Sequence, residues 1–254
     1  MCGIAAILLQ PQTRTPEQLQ EIRKVFTENL LFNEIRGQAA TGAVVIQADG
    51  TAFLHKLPVT ATELVKTKGY QDLLAVVDSN TTLLLGHTRH PTKGDPNLAL
   101  NNHPIKVGPV FGVHNGHIDN DDLLFAEYGF PRQAEVDSEI IFQLLKDFPP
   151  FKCNDEYLSM VQSHLSLLRG EFTFLSCDLR VPTKVLVTKH MKPLSTHYHE
   201  GWNALIFSSR YLYLRKIFGR KVVLENLPSD QLLLFDAQDL KKYGAEPVCL
   251  SPLR

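Results

Sequence analysis

The sequence predicts an α+β fold in which two sheets pack face to face with helices outside. Three observations carry this. Apolar runs of strand length recur along most of the 254 residues. Stretches with helical spacing are few and lie between those runs. No internal repeat, low-complexity tract or linker-like segment interrupts the pattern.

The elements follow in order. Residues 2–9, CGIAAILL, are a continuous apolar run, as expected of a strand covered on both faces. Thr15, Pro16 and Gln18 then supply an N-cap, an N1 proline and a capping-box partner. Leu19, Ile22, Phe26 and Leu30 form an apolar helical stripe, and Gly37 can end the element. GAVVIQ and TAFLHKL flank Asp49-Gly50, a hairpin signal. A mixed helical stretch covers about 60–77. TTLLLGHT is a strand that enters a polar loop from Arg89 to Asn102, and VFGVHNG is a strand that ends in a turn. Helices are expected near 137–147 and 155–168. The remainder, through EFTFLSCD, KVLVTK, ALIFSS and DQLLLFD, is strand-rich.

Composition narrows the function classes. The chain is 44% hydrophobic and 21% charged, an ordinary globular balance. With 26 basic and 27 acidic residues the net charge is −1, which gives no pull toward nucleic acid or an anionic membrane. The opening apolar run lacks a basic leader and soon meets Pro11, Gln12 and Arg14, so it is not a secretory signal. No run approaches membrane-span length. The four cysteines, Cys2, Cys153, Cys177 and Cys249, form no CxxC pair and are too scattered for a disulfide framework. A reduced, cytoplasmic setting is expected.

The cysteine directly after Met1 has two readings. Cys2 is a small apolar residue filling a core. Alternatively, Met1 is removed and Cys2 then carries a thiol together with a free α-amino group, a nucleophile with its own base. Other stretches bear on the choice: CGI at 2–4, RGQAATG at 36–42, GHTRHPTKG at 86–94, NNHPIKVGPVFGVHNGHIDN at 101–120 and VDSE at 136–139. In this order they resemble the glutaminase domain of class II glutamine amidotransferases, which are N-terminal-nucleophile hydrolases. The GHTR and HNG forms are most similar to the branch of glucosamine-6-phosphate synthase and the phosphoribosyl-pyrophosphate amidotransferases. The later pieces KPL at 192–194, IFSSR at 206–210 and LENLPSDQLLLFD at 224–236 extend the resemblance over nearly the whole chain.

The resemblance implies a four-layer αββα sandwich of two antiparallel sheets, here a single domain over 1–254 with no synthase domain. It implies Cys2 as the nucleophile that attacks the γ-amide of glutamine. A glutamyl thioester forms and ammonia leaves, then water releases glutamate. The α-amino group serves as base and then acid. The oxyanion would be met by the Asn115 side chain and the Gly116 N–H. Arg89 would grip the α-carboxylate with a planar fork, Asp137 would face the α-ammonium, and Thr92 and His90 would line the substrate. Arg36, Gly37, His87 and His103 would support the site. Read from their own neighbourhoods, Asn115-Gly116 also fits a plain turn and Asp137 a helix N-cap.

Some positions depart from the family pattern. His90 stands where the sugar-linked branch usually has tryptophan, and Lys93 replaces a frequent histidine. Ala39, Ala40 and Ile105 replace an acid, a hydroxyl residue and a histidine. His190, His197, His199 and Glu200 sit in what reads as a loop, and no metal is assigned to them. Arg215, Lys216, Arg220 and Lys221 read as a solvated helix end. No cofactor is expected. The partners expected are glutamine and a separate synthase subunit that accepts ammonia, with no nucleic acid and no membrane. Two other readings are a hydrolase of another γ-glutamyl or small amide, and a non-catalytic regulatory module on the same fold.

Overall fold

The computed structural model describes residues 1–219 and 225–253. Arg220, Lys221 and Leu224, which belong to two of the stretches above, lie outside the described residues. The first half of the chain runs β1 (Gly3–Leu9), α1 (Pro16–Asn33), β2 (Ala40–Gln47), β3 (Ala52–Leu57), α2 (Ala61–Leu64), α3 (Lys68–Ala75) and β4 (Thr81–Arg89). The middle adds β5 (Ile105–Val107), β6 (Val110–Ile118), α4 (Asp121–Tyr128), α5 (Glu139–Lys146), α6 (Asp155–Leu165), β7 (Gly170–Asp178) and β8 (Lys184–His190). The last part comprises β9 (Ser195–His199), β10 (Ala204–Ser208), α7 (Tyr211–Phe218), β11 (Glu225–Asn226), β12 (Gln231–Asp236), α8 (Leu240–Tyr243) and β13 (Cys249–Pro252).

These strands build two sheets, ordered β11-β9-β10-β1-β4-β2-β3 and β13-β12-β8-β7-β6-β5. Neighbouring strands within each sheet are antiparallel. Side-chain alternation divides the core into three slabs. Ile4, Ala6, Leu8, Leu83 and Leu85 of one sheet meet Phe111, Val113, Leu175 and Leu233 of the other. The opposite face of the first sheet, with Ala5, Ile7 and Leu84, packs on Ile22, Phe26 and Leu30 of α1 and on Tyr70 and Leu214. The outer face of the second sheet packs on α4, α5 and α6 through Leu124, Phe142 and Val161. The layers are therefore helix, sheet, sheet, helix, as the motif order implied.

Local signals explain the elements. Thr15 and Gln18 form the capping box at the start of α1, and a 3-10 turn at Glu34–Arg36 carries the chain into Gly37. Gly50 takes φ +85° in the β2–β3 turn, a backbone region open to glycine. Gly37 is needed for space. A Cβ there would lie 2.4 Å from the Arg89 carbonyl carbon and 2.6 Å from the Thr88 oxygen, both backbone. Gly37→Ala should therefore destabilise by about 1–3 kcal/mol, seen as a lowered denaturant midpoint at unchanged m-value.

Three sequence expectations need correction. His114, Asn115 and Gly116 do not form a turn but lie inside β6, paired to Phe174, Thr173 and Phe172. Gly116 has φ +139°, and a Cβ there would meet the Glu171 oxygen at 1.9 Å. The Asn-Gly pair thus marks close strand contact rather than reversal. Likewise His197 and His199 lie on β9 and His190 ends β8, not in a loop. The His199 ring stacks on Trp202, and His197 packs against Phe218. Finally, Cys153 and Cys249 are joined by a disulfide with Cα atoms 5.7 Å apart, although 96 residues separate them in sequence. The helical layer and β13 bring together cysteines whose spacing carried no signal.

Candidate active site

Cys2 immediately precedes β1, and alternation along β1 turns it to the side of Ile4, Ala6 and Leu8, the space between the sheets. The same parity on β4 places His87 and Arg89 beyond Leu83 and Leu85 on that side. On β6 it places Asn115 beyond Phe111 and Val113. Three chain segments thus deliver polar side chains to one end of an otherwise apolar slab. The register Gly3↔Thr88 and Ala40↔Arg89 aligns the starts of β1 and β2 with the end of β4.

The Cys2 Sγ lies 3.4 Å from the His90 backbone N–H, which donates to it. Burial pushes the thiol pKa up, while the His90 amide, the terminal ammonium and Arg89 act against it. Arg36, only 6% exposed, donates from Nε to the Cys2 carbonyl at 2.7 Å and so fixes the backbone behind the thiol. Burial lowers the pKa of the terminal amine of Met1, and the charges of Arg36 and Lys192 add to this against the effect of Cys2.

Asn115 is buried, and neither its Nδ2 nor its Oδ1 has a hydrogen-bond partner among the described residues. Leaving a buried amide unpaired costs about 1–3 kcal/mol. A fold tolerates such a group where its partner is a transient one.

Asp137 is not the N-cap considered from sequence. Its Oδ2 accepts from the Ile118 N–H at 2.7 Å, tying the start of α5 to the end of β6. Arg89 Nη1 donates to Asn102 Oδ1 at 2.8 Å, and its Nη2 donates to the carbonyls of Lys93 and Gly94 at 2.6 and 2.7 Å. The guanidinium thus holds its own loop. Cys2, Arg89, Thr92, Gly116 and Asp137 share one cavity of about 10 Å³, at the threshold for a single water and too small for an amino acid. His90, also on its wall, separates it from a neighbouring cleft.

Sequence reasoning missed what holds this loop down. Lys93 Nζ pairs with Asp121 at 2.7 Å and Asp122 at 2.8 Å, and Arg132 pairs with the same two carboxylates. The Asp95 N–H and Asn101 Nδ2 both donate to Glu135, at 3.0 and 2.7 Å. Lys56, whose pKa burial lowers to about 8, donates to the Asn102 and Pro104 carbonyls. Only the acid pair opening α4 and the substitution at Lys93 hinted at such contacts.

His103 and His114 line the Cys2 cavity; the His87 and His103 rings are 4.2 Å apart, and His114 is 6.5 Å from His103. All three are buried. His87 Nε2 donates to the His114 carbonyl at 2.9 Å, and His114 Nδ1 shares a 2.8 Å hydrogen bond with Ser138 Oγ. Burial lowers the pKa of all three, that of His87 to about 3, so the cluster is neutral.

No protein-family model matches the chain. Among curated proteins it is 27% identical over 212 residues to a glutamine–fructose-6-phosphate aminotransferase of Geobacillus kaustophilus, covering 81% of this chain and 32% of that one. It is 26% identical over 216 residues to a 7-cyano-7-deazaguanine synthase of Saccharolobus solfataricus, covering 82% and 43%. The chain thus spans well under half the length of these relatives. A glutamine phosphoribosylpyrophosphate amidotransferase from B. subtilis superposes with a TM-score of 0.72 at 18% identity, over 100% of this chain and 49% of that one. No described helix is long and apolar enough to cross a membrane. The motif order and these relatives support a class II glutamine amidotransferase domain, similar in sequence to that of the glutamine–fructose-6-phosphate aminotransferases, and its four layers match the fold of the phosphoribosylpyrophosphate amidotransferases.

Proposed function

We propose that the chain hydrolyses the side-chain amide of glutamine and passes the ammonia to a synthase on a separate subunit. The observation that carries this is the buried Asn115 amide, unpartnered among the described residues, whose neighbour Gly116 lines the same cavity as Cys2. Once Met1 is removed, the Cys2 α-amino group takes the thiol proton and the sulfur attacks the γ-carbonyl. Asn115 Nδ2 and the Gly116 N–H stabilise the oxyanion. The C–N bond breaks as the α-ammonium returns its proton to the leaving ammonia, and water then cleaves the thioester to give glutamate. Arg89 exchanges its loop carbonyls for the substrate α-carboxylate, and Asp137 faces the α-ammonium. Arg36 and Gly37 fix the frame behind Cys2, and His87 and His103 fill the space beneath it.

Intact-protein mass before and after exposure to a γ-carbonyl diazoketone analogue of glutamine tests the reading. Loss of Met1 followed by one adduct on Cys2 is expected, and none with Cys2→Ala. Retained Met1 and no adduct would sink it. Partner addition should then raise glutaminase activity, and a high rate indifferent to every synthase partner would remove the transfer step.

The cavity must open to admit glutamine, and the Lys93 pairs resist this. Lys93→Ala should speed labelling by the analogue about two- to fivefold at low salt, in line with the modest strength of exposed ion pairs. Raising salt should speed the wild type and narrow the difference. Equal rates at all salt concentrations would show that another contact holds the loop.

A further inference from the structure

A second cleft, of about 360 Å³, lies on the far side of His90 from the Cys2 cavity and is lined by Met1, Ile35, Arg36, His90, Arg210 and Tyr213. We propose that it is a binding site for a small organic molecule carrying an oxyanion, a phosphate monoester or a carboxylate.

Two cationic side chains converge there from distant parts of the sequence. Arg36 is buried, and with its Nε committed to Cys2, its terminal nitrogens border the cleft. Among the described residues the only acceptor Nη2 meets there is the Met1 sulfur at 3.9 Å, a contact that ends if Met1 is removed. Arg210 is exposed at the N-terminus of the eight-residue helix α7, where no side chain caps the free amides. Among the described residues neither guanidinium has a carboxylate within ion-pair distance, and the other two buried guanidiniums, Arg14 and Arg89, differ in that their terminal nitrogens donate to carbonyl and amide oxygens.

Burying a guanidinium beside another positive charge with no counter-charge is costly. Burial and the Arg210 charge both lower the pKa of Arg36, which agrees with that cost. An oxyanion offsets it. Guanidinium forks bind carboxylate or phosphate with two parallel hydrogen bonds, and the open end of α7 favours negative charge as well. The apolar walls are Ile35 and Tyr213, against which the body of a ligand can rest. The volume falls within the usual range of small-molecule sites. Of the residues given to glutamine only His90 borders both spaces, so Arg89, Thr92 and Asp137 are not shared with the second ligand.

The test is calorimetric titration of the whole protein with phenyl phosphate and, separately, with benzoate, at constant ionic strength in chloride. One saturable site is expected for at least one anion, and whichever binds identifies the headgroup class. Arg210→Ala should weaken it about tenfold or more, and Arg210→Glu should abolish it. Both variants should keep the wild-type rate of Cys2 labelling, which shows that they fold. No saturable heat with either anion, or wild-type affinity in both variants, would overturn the proposal. The titration does not depend on glutamine turnover, so its failure and that of the glutaminase reading are separately visible.

Discussion

Replacing Asn115 with alanine is expected to lower kcat for glutamine hydrolysis by about 10²–10³. It should leave the unfolding free energy within about 1 kcal/mol of wild type. The two halves belong together. A buried amide that held the fold would have partners, and its removal would cost stability. Asn115 has none among the described residues, so truncation removes an unpaired group and leaves a small void, two effects of opposite sign. The donor is needed only when the γ-carbonyl oxygen gains charge. The loss should therefore appear in kcat, with KM little changed. Steady-state kinetics beside urea unfolding decide it. A variant that unfolds early, or one that turns over at the wild-type rate, would remove Asn115 from the oxyanion site.

Acidification should destabilise the protein steeply between about pH 6 and pH 4, with a slope of about 2–3 kcal/mol per pH unit. The cause is the cluster of His87, His103 and His114. In the unfolded chain each takes up a proton near pH 6.5. In the folded protein burial keeps them neutral, His87 down to about pH 3. The unfolded state thus binds about two more protons in that window, through His87 and His103, with His114 adding in the same direction, and the stability present above pH 6.5 is lost as pH falls. Against a total of about 5–15 kcal/mol, two pH units at that slope are decisive. His103→Leu removes one titrating group and should reduce the slope by about 1.4 kcal/mol per pH unit. Denaturant unfolding at a series of pH values measures both. A flat profile from pH 7 to 4.5 would mean that the cluster takes up protons without unfolding.

The parts of the fold legible in the sequence are those whose signals are local. The Thr15–Gln18 capping box, the Asp49-Gly50 reversal and the apolar run of β1 each sit on their own element. The site residues were legible only as an ordered set of motifs. No single one distinguishes a nucleophile from a core cysteine, or Asn115-Gly116 from a turn. In that last case the local rule misled because the same glycine serves a tertiary need, the close passage of β7 against Gly116. Asp137 misled in the same way, since its partner is the Ile118 amide 19 residues away rather than the helix it precedes. The Lys93–Asp121–Arg132 contacts and the Cys153–Cys249 bond join residues with no common period or motif, so they become visible only once the layers are assembled.

The central position of β1 sets a schedule for the newborn chain. β1 is the first strand to leave the ribosome, yet one of its two neighbours, β10, is among the last. The Ile4 N–H waits for a hydroxyl, that of Ser209, 205 residues later. At about 5–20 residues per second that wait is about 10–40 s. During it the opening residues have only β4 to pair with and one free edge. The proposed chemistry needs Met1 cut away, and this interval is when the terminus is freest to enter a peptidase. The strand order thus gives removal of Met1 a head start over folding: the proposed nucleophile can be freed before the site that would use it exists.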